Sequence, residues 1–173
     1  MNTKSLVKAS LFLALGLIVP YIFHISGIPG QIFLPMHIPV LLCGFIVGKR
    51  EGLIVGFITP VISSLLTGMP PIYPVGISMA FELAAYGWVA GYMYNNKEHN
   101  IYLALIVAML LGRAVSGLLN FLLLTSGGKA FVLYMFMANS FVKAFLGILL
   151  QLIIVPLIVK LVARNSKGVS ING

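Results

Sequence analysis

The chain has 173 residues, 60% of them hydrophobic and 8% charged, with a formal net charge of +8. A soluble domain carries about a quarter charged residues, so the polar groups here are too few to cover a surface in water. The basic residues are scattered at the ends of apolar runs and form no basic stripe, so nucleic acid is not an expected partner and the bilayer is.

Six apolar segments follow one another, each judged against the roughly 20 residues a helix needs to cross a bilayer. The first runs from about Ser5 to Phe23. No small-x-small cleavage site follows its apolar core, so it is read as a retained helix and not a removed leader. The second, from about Leu34 to Val47, is short, opens with His37 and carries Pro35 and Pro39. It also holds Cys43, the one cysteine of the chain, read as a small packing residue. The third, about Gly52 to Leu66, contains Pro60. The second and third fall below spanning length and are expected to kink or tilt.

Between the third and fourth segments lies LTGMPPIYP, a turn of Met69, Pro70, Pro71 and Tyr73. The position of Tyr73 before Pro74 biases it to an extended backbone. This stretch is either a tight connector or a rigid lid over a site. The fourth segment runs from about Pro74 to Tyr94, the fifth from Ile101 to Leu124 and the sixth from Leu133 to Val162. No internal repeat and no loop large enough for a soluble domain is present. The expectation is an all-α integral membrane protein, one domain over residues 1–173, with six transmembrane helices.

Basic residues in short loops set the orientation. With the N-terminus inside, the cytoplasmic parts hold Lys4, Lys8, Lys49, Arg50, Lys97, Lys160, Arg164 and Lys167, and the outer loops hold only Lys129. Both termini are therefore expected in the cytoplasm, with the Pro-rich turn facing outward.

Ionisable residues inside a membrane are costly and face a protein interior or cavity. Three stand far from the segment ends: Glu82 in the fourth, Arg113 in the fifth and Lys143 in the sixth. At 1.5 Å per residue Glu82 lies about 12 Å below the outer end of its helix. Helical spacing aligns Asn139, Lys143, Gly147 and Gln151 in the sixth segment, Arg113, Ser116, Gly117 and Asn120 in the fifth, and Met79, Glu82, Leu83 and Tyr86 in the fourth. Three polar seams can thus line a cavity. Since Cα–Cβ bonds tilt toward a helix N-terminus, Glu82, Asn139 and Lys143 lean outward and Arg113 leans inward, which ranks Arg113 last. Two cations against one anion leave an excess positive charge that a ligand carboxylate would balance. A buried ion-pair lock between the three helices is the other reading. His37 at the outer interface is either a packing residue or a ligand contact. No HExxH motif, paired histidines or nucleophile–base set supports a metal site or an enzyme, and no cofactor is expected.

Small residues four apart, such as Ser10 and Ala14 on the smooth first helix, let membrane helices approach closely. That face suits a partner membrane protein.

Six short helices, the small-residue pair on the first, the stretch GKREGLIVGFITP and the stretch SSLLTGMPPIYPVGISMAFELAAYG together resemble the substrate-binding S components of energy-coupling factor (ECF) transporters. The resemblance covers nearly the whole chain. It implies a vitamin or related micronutrient bound from outside a bacterial or archaeal cell. The implied pocket is roofed by the first, third and fifth loops and lined by the last three helices. It further implies a membrane coupling subunit and two ATPase subunits as partners. The family's AxxxA contact maps onto Ser10 and Ala14, a match by size because the first position is Ser. The substrate-binding set expected here is Glu82, Asn120, Asn139, Lys143, Tyr86, Tyr73, His37 and Arg113, with a small carboxylate such as pantothenate as the best candidate. The alternative is a stand-alone proton- or cation-coupled secondary carrier built around Glu82.

Overall fold

The computed structural model describes residues 2–27, 30–96, 100–128 and 132–169. Lys97 and Lys129, two of the charges used for orientation, and His99 lie outside the described residues. Among the described residues the structure consists of helices and turns, without strands.

Helix α1 (Thr3–Ile25) starts where the Asn2 side chain accepts a hydrogen bond from the Ser5 N–H at 2.7 Å, satisfying one of the donors left open by a helix start. After the single turn α2 (Gly30–Phe33) comes α3 (His37–Ile46), with Pro39 in the first turn, where no intrahelical N–H is needed. Val47 and Gly48 then reverse the chain into α4 (Lys49–Thr67). The φ of 146° at Gly48 is a conformation side chains rarely adopt.

Helix α4 ends at Gly68, and the Pro-rich turn behind it is tied to the helix by hydroxyls. Ser63 Oγ donates to the Met69 carbonyl at 2.8 Å, and Ser64 Oγ to the Pro70 carbonyl at 2.6 Å. Tyr73 has the extended backbone expected before proline and donates its hydroxyl to the Leu123 carbonyl. A kinked turn, Ile72–Gly76, leads into α5 (Ile77–Gly91), and a π-helical turn, Tyr92–Asn96, follows it. Helix α6 (Ile101–Ser126) is capped by the Asn100 side chain, which accepts from the Tyr102 N–H. The chain closes with the short α7 (Leu133–Met137), a π-helical turn over Ala138–Lys143, and α8 (Phe145–Val169).

The helices α1, α4 and α6 and the stretch Phe145–Arg164 of α8 are long and apolar enough to cross a membrane. The ten residues of α3 rise only about 15 Å, half the hydrocarbon thickness. This helix is instead sunk in the core, with Val40, Leu41 and Cys43 fully buried. Helix α5 is the hub of the bundle, packing on α3, α4 and α6. Glycines set the spacing there. A Cβ added at Gly52 would lie 2.6 Å from the Gly87 carbonyl oxygen and 2.7 Å from Gly44 Cα, so the backbones of α3, α4 and α5 meet with nothing between them. By contrast α1 is peripheral. It buries Ala9 and Gly16 against α3 and α4 and leaves Leu6, Val7, Leu11 and Ile18 exposed. The α6–α8 seam is among the most loosely packed.

Candidate functional site

Glu82, in the middle of α5, is 4% exposed. Its Oε1 lies 2.6 Å from Arg113 Nη1 on α6 and 3.5 Å from His37 Nε2 on α3. One turn further along α5, Tyr86 sets its ring edge-on to the His37 imidazole, with centroids 5.3 Å apart. Gly112 allows this, since a Cβ there would overlap the Tyr86 ring. Ionisable groups from three helices thus converge on one buried carboxylate. A group of this kind is retained inside a membrane only with partners.

The partners are not exhausted by one another. Arg113 Nε and Nη2, both ring nitrogens of His37 and Glu82 Oε1 are buried and without hydrogen-bond partners, so the cluster is held by charge and proximity. Arg113 also lines two cavities, the larger between α6 and the stretch from α7 through the π-helical turn, the smaller reaching α5 and α8. One, of about 360 Å³, is bounded by Ala114, Gly117, Leu133, Phe136 and Phe141 among others. The other, of about 130 Å³, reaches toward Tyr86, Met109, Ile148 and Leu152. Leu110 and Phe141 are shared between them, so the guanidinium stands where the two spaces meet. From Arg113 a column of polar groups climbs α6. Ser116 lies beside Glu82, and Asn120 Nδ2 donates to the Ser116 carbonyl at 2.8 Å. Among the described residues no three His, Cys, Asp or Glu side chains come together as a metal cage would require.

Of the residues anticipated from spacing, His37, Glu82, Tyr86 and Arg113 meet, with Asn120 half-buried one step away. Lys143 and Asn139 do not. Both are exposed, so they stand apart from the cluster, and Arg113, ranked last from the tilt of its Cβ, stands within it. The reason is geometric. Each i+4 step along a helix drifts about 40°, so a seam followed back from Gln151 through Gly147 to Lys143 and Asn139 leaves the buried face. That face runs Ser140, Ala144, Gly147, Gln151 and Val155, in three- and four-residue steps. Arg113, for its part, is long enough to overcome the inward tilt of its Cβ. With Lys143 outside, Arg113 and Glu82 balance, and the excess positive charge inferred from counting Arg113 and Lys143 against Glu82 is gone.

Tyr73 is exposed and holds the Pro-rich turn to the end of α6. Ser10 and Ala14 are both exposed on α1, and the Ser10 hydroxyl donates back to the Leu6 carbonyl. Phe136 and Phe141, which share a cavity wall, are five residues apart, a spacing that a search for i+3 and i+4 partners does not find. Gln151 was in the anticipated seam but not in the binding set. It is fully buried with both amide atoms unpartnered.

A helical bundle with apolar outer faces, an ionisable cluster at its centre and a cavity beside it defines a multi-pass membrane protein able to hold a small molecule. Residues 4–159 match the family described as ECF transporter, substrate-specific component, and the chain belongs to that family. Its members bind small-molecule substrates and work with membrane and ATPase modules, so the chain is a substrate-binding component of a transport system. No curated protein and no solved structure matches it.

Proposed function

We propose that the chain captures a vitamin or related micronutrient from outside a bacterial or archaeal cell and delivers it inward with an ATP-driven coupling module. In this reading the chain is one domain of six spans with both termini in the cytoplasm. The short α3 and α5 serve as the second and fourth. The substrate sits against Arg113, between α6 and the stretch from Leu133 into α8, with Glu82, His37, Tyr86 and Asn120 around it and Tyr73 holding the roof. A small carboxylate is the class of substrate the donor set favours, pantothenate being the first member to test. One observation supports this reading: a buried guanidinium with two unpartnered nitrogens belongs to the residue that borders both cavities. The exposed Ser10–Ala14 face of α1 is the proposed contact with the membrane coupling subunit, which in turn engages two ATPases.

Native mass spectrometry of the purified chain, followed by calorimetry with the molecule that co-purifies, tests the proposal. Filling the cavity with Ala114→Leu should abolish that binding while the protein still folds. Unchanged affinity would remove the seam from consideration.

The buried His37–Glu82–Arg113 cluster favours a second reading, because linked ionisable groups inside a membrane also serve proton relays. Uptake into vesicles by the isolated chain under a proton gradient, without ATPases, would support the carrier. Uptake only with the coupling module supports the first reading.

A further inference from the structure

The chemistry of the ligand can be narrowed from the shape of what Arg113 leaves free. A guanidinium has two edges suited to paired acceptors. The end-on edge is formed by Nη1 and Nη2, and the side-on edge by Nε and Nη2. Glu82 Oε1 is paired by charge with Nη1 at 2.6 Å, and the whole side-on edge, Nε with Nη2, is without hydrogen-bond partners. Both atoms are donors and neither can accept, and a fork of two parallel N–H groups matches the two oxygens of a carboxylate. A primary amide offers one acceptor and one donor, and its N–H₂ would face another donor there.

The rest of the space is of a different character. Apart from Arg113 the larger cavity is walled by Leu110, Ala114, Leu118, Phe136, Met137 and Phe141 and their apolar neighbours. The smaller cavity is bounded, besides Arg113, by Tyr86 and apolar side chains. A hydroxyl on the body of a ligand would be desolvated there without return.

Charge adds a third constraint. Arg113 and Glu82 already cancel, so a carboxylate on the free edge leaves one net negative charge in a poorly solvated place. His37 can answer it: Nε2 is 3.5 Å from Glu82 Oε1 and Nδ1 has no partner. The groups facing His37 are Glu82 and Tyr86 from α5 and Arg113 from α6, and the charges acting on it are those of Glu82 and Arg113. Lys49 and Glu51 sit at the far end of α4, and Lys4, Lys8, Lys143, Lys160 and Arg164 are exposed.

From these three constraints we infer that the site takes a monocarboxylate with a compact, mainly apolar or aromatic body, held side-on by Arg113, with one proton taken from water by His37 as the anion enters. This rests on the seam being the substrate site, as proposed above, and narrows the small-carboxylate class away from hydroxylated members such as pantothenate.

The test uses the full chain in lipid nanodiscs and three probes: 4-phenylbutyrate, its primary amide, and pantothenate. The expected order is 4-phenylbutyrate first, with the amide and pantothenate each weaker by roughly tenfold or more, the scale of a charge-assisted pair. Ala114→Leu should abolish the binding. The double variant Glu82→Gln with Arg113→Gln, which leaves no unpaired buried charge, should erase the preference of acid over amide. Binding heats measured in two buffers of different ionisation enthalpy should give about one proton taken up per acid bound, and none in His37→Asn. Amide binding as tight as the acid, or no proton uptake, overturns the inference. Pantothenate binding tightest, and lost in Ala114→Leu, overturns the apolar-body class and leaves the seam standing as the site. Binding indifferent to Ala114→Leu, or no binding of any probe, overturns both.

Discussion

Replacing Arg113 by methionine isolates the energetic centre of the molecule. The substitution keeps an unbranched, flexible side chain in a helix but removes the cation 2.6 Å from Glu82 Oε1, leaving a carboxylate that is 4% exposed. Removing one member of a buried ion pair costs about 3–5 kcal/mol, because the remaining charge stays desolvated. At about 2–4 °C per kcal/mol for a chain of this length, the midpoint of thermal unfolding should fall by roughly 6–20 °C. A second step tells the pair from mere packing. Adding Glu82→Gln to the same variant removes the stranded charge and should recover most of the loss, with a coupling energy of about 2 kcal/mol or more between the two sites. The assay is thermal unfolding in one fixed detergent, read by loss of monodisperse protein. A single variant within 2 °C of the parent, or a double variant no better than the single, would refute the view that Glu82 is sealed in and held by Arg113.

Other outcomes follow from the same geometry. Gly52→Ala should lower stability by about 1–3 kcal/mol through overpacking, since its Cβ would meet the Gly87 carbonyl at 2.6 Å; a thermal midpoint equal to the parent's would show that α4 and α5 can separate freely. Gln151→Leu removes two unpartnered amide atoms from a fully buried position, and thermal stability should rise by about 1–3 kcal/mol, the desolvation cost of an unsatisfied polar group. A fall would reveal a partner for the amide. Lys143→Met should leave substrate affinity unchanged in calorimetry, because the side chain is exposed; a tenfold loss would return it to the site. Ala14→Trp should spare substrate binding and prevent co-purification with the membrane coupling subunit, and survival of that complex would clear the α1 face of a docking role.

Much of this was legible before any coordinates. Apolar runs between basic ends placed the helices, and α1 and α6 begin and end within a few residues of the expected limits. Glu82, Arg113 and His37 were all marked as interior or interface groups by their chemistry alone. What could not be read was which of two cations would meet the carboxylate. The seam drawn by repeated i+4 steps from Gln151 to Lys143 and Asn139 drifts about 40° per step, and the buried face runs through Ser140 and Ala144 instead. The aromatic wall at Phe136 and Phe141 was missed because the two stand five residues apart. The anchoring of the Pro-rich turn was also hidden. The serines of SSLLTG are ordinary helix-end residues until their hydroxyls are seen to reach the carbonyls of Met69 and Pro70.

The meeting of Gly44, Gly52 and Gly87 also determines where the protein can yield. Three main chains touching without side chains between them leave nothing that can swing aside, so α3, α4 and α5 behave as one rigid block. Helix α8 meets that block at α3, comes close to the backbone of α2 at Gly147, and abuts α6 only lightly. Displacement of α8 is therefore taken up on one flank, and Glu82 and His37, fixed to the unyielding side, keep their places while that flank adjusts.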